Sequence, residues 1–444
     1  MFSQIQSQRV NIIESESESE SESESESEPE SEPESEPEIE PFIETLKEDD
    51  VIEMEKEIFI FMDKYFSNDN ILVISNPKCF HEIVCELTDM FYFTIIELYD
   101  SKFILKTSYD ELYQFVDNRV TFYNENIMSV PRSLSEKRSY DKINPIYIIE
   151  EKINILNNSY QPVQRTEEWY KYRHNLLSAS NIDKILGSVA RQNSLIYEKC
   201  KPITFIENDT VNTESSLHWG NKYEPVSIMI YEEMYTTKLN ELGCITHRNI
   251  NYLGASPDGI NIDVTNSRYG RLIEVKNIVN RDITGIPSET YWVQMQIQME
   301  VCNLDECDFV ETRIKEYEKE DFYIDDDSIK KGIILYFVSK TEIGSKPFYV
   351  YMPLSQSILH IDEWINDTKQ NLSYDYSLYT ILYWYLDEFS CVYVPRNKEW
   401  FEALVPKIEE TWNIIQHERI HGYDHRMPKQ RPKKNNHLLL INDD

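Results

Sequence analysis

The sequence predicts an α/β protein: a mixed β-sheet core flanked by helices, with a small N-terminal α+β domain and a C-terminal helical region. Three observations predict it. Short apolar runs such as "RLIEVK" (271–276) have the length and alternation of strands. Longer stretches between them, such as "SLHWGNKYEPVSIMIYEEMY" (216–235) and "SETYWVQMQIQMEVC" (288–302), repeat apolar residues at helical spacing. Turn signals such as "GASPDG" (254–259) punctuate the two.

Residues 1–40 contain the first recognisable segment, Ser-Glu dipeptides passing into Ser-Glu-Pro-Glu repeats. Residues 14–40 hold fourteen glutamates and no basic residue. Like charges repel there and nothing apolar is available to bury, so this tract is expected to be disordered. A solvating spacer is the plain reading; a phosphorylatable tail or a DNA mimic is the sharper one. Residues 41–150 are expected to form the small α+β domain. "IEMEKEIFIFMDKYF" (52–66) has helical spacing, "NILVIS" (70–75) resembles a strand, and "FYFTIIELYD" (91–100) with "KFILKT" (102–107) suggests a hairpin. "PRSLSEKRSY" (131–140) looks like a basic linker. Residues 161–353 hold the core, and 354–420 the helical region, from "SILHIDEWINDTKQNL" and "EWFEALVPKIEETWNIIQ". Residues 421–444 read as a flexible basic tail with Arg426, Lys429, Arg431, Lys433 and Lys434.

Formal net charge is −35 over 444 residues, and the chain stays acidic without its Ser-Glu tract. Any contact with nucleic acid therefore depends on a local cationic site rather than bulk charge. The seven cysteines form no Cys-x-x-Cys pair, which argues against a disulfide framework or a zinc ribbon and for a reducing compartment. No apolar run approaches the ~20 residues of a membrane span, and the N-terminus lacks the pattern of a signal peptide. The expected setting is intracellular, without membrane or secretion.

Chemistry concentrates in "YLGASPDGINIDVTNSRYGRLIEVK" (252–276). On a strand, Glu274 and Lys276 share one face and Val275 points into the core. Taken alone, the two charges suggest a surface ion pair. Asp258 lies in a turn near a strand end, and a hairpin through 259–273 brings it beside Glu274. The length of that hairpin is expected not to matter. Two adjacent carboxylates repel unless a proton or a divalent cation lies between them. Oxygen ligands with open positions suit Mg2+, with Mn2+ as substitute. Lys276 is then placed to orient a water or stabilise charge on a phosphate.

The flanks add candidates. Glu224 stands beside Pro225 at the start of a helix and is either a solvated charge or a third carboxylate. Tyr291, Gln294 and Gln298 fall at i, i+3 and i+7 on one helical face, beside a Met295, Met299 and Cys302 core stripe. In "QRTEEWYKYRHNLLSASNIDKILG", Thr166 can cap a helix carrying Trp169, Tyr170 and Arg173. Ser180 with Asp183 approximates a capping box, and Gly187 ends the helix. A serine-opened helix start near an arginine suits a phosphate.

Together, Arg…Ser-Ala-Ser, Gly-x-x-x-Glu-Pro, Ser-Pro-Asp-Gly, Glu-x-Lys and Tyr-x-x-Gln-x-Gln resemble, in order and over about 190 residues, the YqaJ-like viral recombinase and lambda-type exonuclease family of PD-(D/E)XK nucleases. The form is most similar to that of large DNA viruses. The resemblance implies a restriction-endonuclease-like fold and a Mg2+-dependent deoxyribonuclease, a 5′→3′ exonuclease on duplex DNA ends serving recombination, repair or genome processing. It implies metal binding by Glu224, Asp258, Glu274 and Val275, with two ions per site. It implies catalytic roles for these carboxylates, Lys276 and Gln294, and contact of Arg173, Ser180, Ser256 and Tyr291 with the DNA 5′ phosphate or the cleft. It further implies a single-strand annealing protein as companion, a trimeric ring as in phage members, and a place in the host cytoplasm or virion. A structure-specific endonuclease or junction resolvase, or a non-catalytic DNA-binding virion protein, are the alternatives.

Overall fold

The computed structural model describes residues 48–67, 71–98, 107–126, 128, 144–164, 166–203, 212–213, 215–324, 329–341 and 346–428. The Ser-Glu tract, the 131–140 linker, most of "KFILKT" and the tail from Lys429 onward lie outside them. Three helices come first, α1 (Glu48–Tyr65), α2 (Pro77–Leu98) and α3 (Thr107–Asn126), with a 3-10 helix at Ile71–Ser75 before α2. The strand expected at "NILVIS" is that 3-10 helix, and "FYFTIIEL" is the second half of α2. Val84, Leu87 and Phe91 are buried at i, i+3 and i+7, a helical period that overrides the β propensity of the run. The described part of 48–126 is thus helical rather than α+β.

Next come α4 (Ile146–Asn158), α5 (Glu167–His174), β1 (Leu177–Ser178), α6 (Ala179–Leu186), α7 (Val189–Cys200) and α8 (Ser216–Met234). Short strands follow: β2 (Leu239–Asn240), β3 (Ile245–Thr246), β4 (Leu253–Ala255), β5 (Gly259–Asn261) and β6 (Leu272–Asn277). The remainder is α9 (Glu289–Cys302), β7 (Glu306–Tyr317), α10 (Lys319–Ile324), β8 (Lys331–Ser339), β9 (Phe348–Tyr351), α11 (Ile361–Asn371), β10 (Tyr376–Pro395) and α12 (Lys398–His421). Two sheets form among the described residues. The larger runs β2-β5-β6-β7-β10-β8-β9 and the smaller β1-β4-β3. β6 and β7 are parallel and joined through α9, and the other pairs of the larger sheet are antiparallel. The mixed sheet flanked by helices is the expected architecture.

β10 departs from expectation. The region 354–420 is helical only at its two ends, and between them β10 pairs with β7 on one side and β8 on the other. Its sequence, "YSLYTILYWYLDEFSCVYVP", is a dense run of Tyr, Ile, Val and Trp, the residues that fit a pleated surface. The core therefore extends to Pro395. Packing also crosses the boundary expected near residue 150. Leu46–Asp444 clusters as one unit, with Asn144 Nδ2 donating to Asp305 Oδ2 at 2.6 Å and Lys152 Nζ 3.3 Å from the same oxygen. All seven cysteines are free thiols. Among the described residues no helix is long and apolar enough to cross a membrane.

Candidate active site

The parallel β6–β7 pair sets the site. Side chains alternate along β6, so Ile273 and Val275 join the apolar cluster with Tyr231 and Val310, while Glu274 turns to the face covered by α9. The antiparallel β5–β6 hairpin aligns Gly259 with Ile273. Asp258, just before β5, donates its N–H to the Ile273 carbonyl at 3.2 Å and accepts the Val275 N–H on Oδ2 at 2.7 Å. The expected hairpin does bring Asp258 to β6.

Glu274 is 0% exposed, so the surface ion pair is not what forms. Its Oε1 accepts from Gln294 Nε2 at 2.7 Å and from Lys276 Nζ, and its Oε2 accepts from Gln298 Nε2 at 2.6 Å. α9 is capped by Ser288, whose hydroxyl accepts the Tyr291 N–H at 3.4 Å, so this register places Gln294 and Gln298 one turn apart over Glu274. Gln298 also donates to the Ser256 carbonyl at 3.3 Å, joining the helix to the Ser-Pro-Asp turn. Met295, Met299 and Cys302 are buried, as the stripe predicts.

Electrostatics separates the two polar partners. Burial raises the Asp258 carboxyl, and the Glu274 and Glu224 charges raise it further. Lys276 and the Val275 N–H oppose this, yet the group stays well above the usual carboxylate range. Burial lowers the Lys276 ammonium, but Glu274 and Asp258 outweigh that and hold it above its ordinary value. Lys276 also lies 5.0 Å from the centre of the Tyr291 ring.

Glu224 is half-buried on α8, close enough for Asp258 to feel its charge. It lies inside the helix rather than at its start, because Pro225 is tolerated in the interior. A proline removes one backbone bond and pushes the preceding turn outward. Around it Asn277 Nδ2 donates to the Gly220 carbonyl at 3.1 Å and Tyr351 Oη to the Lys222 carbonyl at 2.8 Å, tying this turn to its neighbours.

Asp258, Glu274 and Glu224 offer hard carboxylate oxygens, and the raised Asp258 marks an excess of negative charge that a divalent cation would relieve. By donor chemistry the residues fit such an ion. Among the described residues no three His, Cys, Asp or Glu side chains are gathered at ligating spacing, and Glu274 accepts from Lys276, Gln294 and Gln298. The Val275 side chain is buried, so its contribution is main-chain, beginning with the N–H given to Asp258.

A second cluster gathers Arg173, Ser178 and Ser180, with Ser256 reached through Cys244. Thr166 caps α5 as expected, accepting the Trp169 N–H at 3.2 Å, and Arg173 stacks 4.5 Å over Trp169. Arg173 Nη2 reaches Ser180 Oγ at 3.4 Å, with Ser178 Oγ 3.3 Å from the same hydroxyl. The expected capping box does not form. α6 begins at Ala179 because β1 pairs with β4 up to Ser178, which leaves Ser180 within the first turn and free to meet Arg173. Gly187 ends α6 as expected. Arg173 lowers the nearby Cys244 thiol, which burial otherwise raises, and Cys244 borders the buried Ser256 hydroxyl. Gly254 permits this closeness: a Cβ there would meet Leu176 Cδ1 at 2.8 Å and the Ile245 carbonyl at 3.0 Å. Tyr291 does not join this cluster. It stands over Lys276 and packs 5.6 Å from Phe309.

Gln298, aligned with Gln294 by its spacing, has no role implied by the resemblance, yet it bonds Glu274 directly. A buried acid on the opposite face was not readable at all. Asp308 is 0% exposed and receives Arg268 Nη1, Arg271 Nη1 at 3.0 Å and Tyr231 Oη at 2.6 Å. Both arginines come from the β5–β6 connection, so that hairpin is anchored and its length is not free. No sequence signal ties Asp308 to residues about forty positions earlier.

Comparison with known proteins bears on the central region. Residues 168–305 match the YqaJ-like viral recombinase domain, the resemblance drawn from the five blocks. An uncharacterized protein of Acanthamoeba polyphaga mimivirus is 29% identical over 311 residues, 61% of this chain and 56% of that relative, in keeping with the large-DNA-virus form. Among solved structures, an alkaline exonuclease from Laribacter hongkongensis is 20% identical, with 58% of this chain and 95% of that one covered and a TM-score of 0.34. A phage-related exonuclease from Haemophilus somnus is 13% identical, with 55% and 94% covered and a TM-score of 0.29. The fold assignment rests on the strand order and not on these loose superpositions.

Proposed function

We propose that this chain is a DNA exonuclease that hydrolyses phosphodiester bonds from duplex 5′ ends. The observation that carries the proposal is the convergence of Asp258, Glu274 and Lys276 on one hairpin, with Gln294 and Gln298 fixing Glu274. Asp258, Glu274 and Glu224, with the Val275 main chain, are the residues that would hold Mg2+ or Mn2+. When bound, the cation supplies positive charge against the charge that develops on the phosphate. Lys276 adds a cation held protonated by its carboxylate neighbours and braced by Tyr291, ready to donate to a phosphate oxygen. Gln294 and Gln298 hold Glu274 oriented within a dry wall. Arg173, Ser180 and Ser256 form the pocket that receives the terminal 5′ phosphate, so selection is for an end and not for a base sequence.

The acidic chain fits this reading because local cations supply the positive charge the substrate needs. A role in viral recombination, a single-strand annealing companion and a ring of three subunits belong to the same proposal, and sedimentation tests the last. The direct experiment digests linear duplexes carrying labelled 5′ phosphates, and closed circles, with Mg2+. Release of 5′ nucleotides from linear DNA alone is the expected result. Cutting of closed circles would establish the endonuclease alternative, and no digestion by a folded, cation-loaded protein would overturn the nuclease reading.

A further inference from the structure

C-terminal to the sheet, α12 reaches back to the Arg173 cluster. Arg419 points into the junction of α5 and α7, where two helices end. Its Nε and Nη2 donate to the Lys199 carbonyl at 3.0 and 2.8 Å. Nη2 also donates to the His174 carbonyl at 3.0 Å, and Nη1 to Asn175 Oδ1 at 3.2 Å. Helix C-termini present unpaired carbonyls and partial negative charge, which a guanidinium satisfies with its fork of donors. Lys199 completes the arrangement. It is 4% exposed, and its Nζ donates to the Arg173 carbonyl at 2.9 Å. Two cations thus fasten the last turn of α5, the turn that carries Arg173.

The same helix braces the other side of the cluster. Trp412 stacks on Tyr252 at 5.3 Å with the rings 7° from parallel. The Tyr252 carbonyl accepts the Leu177 N–H at 2.7 Å, and Tyr252 leads directly into β4 and the Ser256 turn. Charge points the same way. Glu198, the nearest carboxylate to Lys199, is itself paired with Lys184 at 3.0 Å. Among the described residues no carboxylate forms an ion pair with Arg173, Lys199 or Arg419. Arg173, Lys199 and Arg419 therefore stand close together without a paired carboxylate, held by carbonyls, an amide, hydroxyls, the His174 ring and the faces of Trp169 and Trp412. An anion completes such a group.

We propose that α12 positions the anion pocket of Arg173, Ser180 and Ser256, with Arg419 and Lys199 as the positioning residues and a terminal phosphate of DNA as the anion. The inference rests on the 5′-phosphate reading given above. It assigns to the C-terminal helix a role in discriminating DNA ends and none in bond cleavage.

The test is binding, not turnover. The full chain is titrated in EDTA against one fluorescent duplex bearing either 5′-phosphate or 5′-hydroxyl ends. Wild type is expected to favour the phosphate by about tenfold, the order of one charge-assisted contact. Arg419→Gln is expected to reduce that ratio to near one while affinity for hydroxyl ends stays within about twofold, as expected when only the phosphate contact is lost. Lys199→Met shifts the ratio in the same direction, and Arg419→Lys restores part of it. Thermal melting confirms that each variant is folded, and Arg419→Lys with Lys199→Met carry the test if Arg419→Gln is not. A wild-type preference that survives in Arg419→Gln overturns the inference. An equal loss for both ends overturns it too, since that marks general support of the fold. A wild type indifferent to the phosphate overturns instead the pocket reading beneath it.

Discussion

Two of the buried acids on the β6–β7 strand pair, one on each face, are treated in opposite ways. Asp308, opposite Ile273, is met by Arg268, Arg271 and the Tyr231 hydroxyl. One residue along and on the other face, Glu274 shares Lys276 with Asp258, and the Glu224 charge also reaches Asp258. The first group sets two arginines against Asp308 and Glu306, so its charges are matched within the protein. Its charges also reinforce each other, since burial lowers both arginines but Asp308 outweighs it and holds them above their ordinary values. In the second group burial first, and then the Glu274 and Glu224 charges, raise the Asp258 carboxyl against the pull of Lys276. A buried acid that the protein neutralises by itself serves the fold. One left under-compensated is open to a cation and a substrate.

Substitutions can break this contrast. Lys276→Ala, on the under-compensated face, is expected to lower hydrolysis per folded molecule by about a thousandfold or more, roughly 4 kcal/mol of barrier, and also to lower melting, since buried Glu274 loses its cation. Single-turnover digestion with a melting control measures both. Asp308→Ala, on the closed face, should act through stability. It strands two buried arginines and is expected to cost about 3–4 kcal/mol of stability, read by urea titration. If instead it folds normally and loses only activity, the division between the faces is wrong.

Two smaller effects sharpen the picture. Lys199 is held at about 8 by burial, below its ordinary 10.5, although Glu198 pulls it upward. The unfolded chain then binds more protons between those values, so stability rises with pH across that window, by roughly 3 kcal/mol at most. Lys199→Met should flatten the rise in urea titrations between pH 7 and 10. The smallest effect is at Asp258. Asp258→Asn removes one of three crowded carboxylates and should stabilise the cation-free protein by about 1–2 kcal/mol. Mg2+ should raise the melting temperature of wild type and leave this variant unmoved. A destabilised Asp258→Asn protein would mean that the charge excess is not real.

The under-compensated face was far more legible than the closed one. Asp258, Glu274 and Lys276 lie within nineteen residues, and strand alternation alone puts the last two on one side. Helical spacing likewise aligned Gln294 with Gln298. Asp308 depends on arginines that approach it only through the hairpin and the parallel pairing of β6 with β7, which are tertiary facts. The same holds for β10, whose aromatic run was passed over for the helical patterns around it. The N-terminal strands failed for a simpler reason: short apolar runs fit either state, and packing at i, i+3 and i+7 decided for helix.

The position of β10 in the sheet has a consequence in time. The strand that lies between β7 and β8 comes after both in the chain, and α12, which fastens the Arg173 turn, comes later still. A nascent chain emerges from its N-terminal end, so β7 and β8 must wait with open edges for their common partner. The cleft is therefore assembled last, once synthesis has passed residue 419. A chain abandoned on the ribosome before that point would hold the acids and the lysine of the hairpin without the helix that fastens the Arg173 turn.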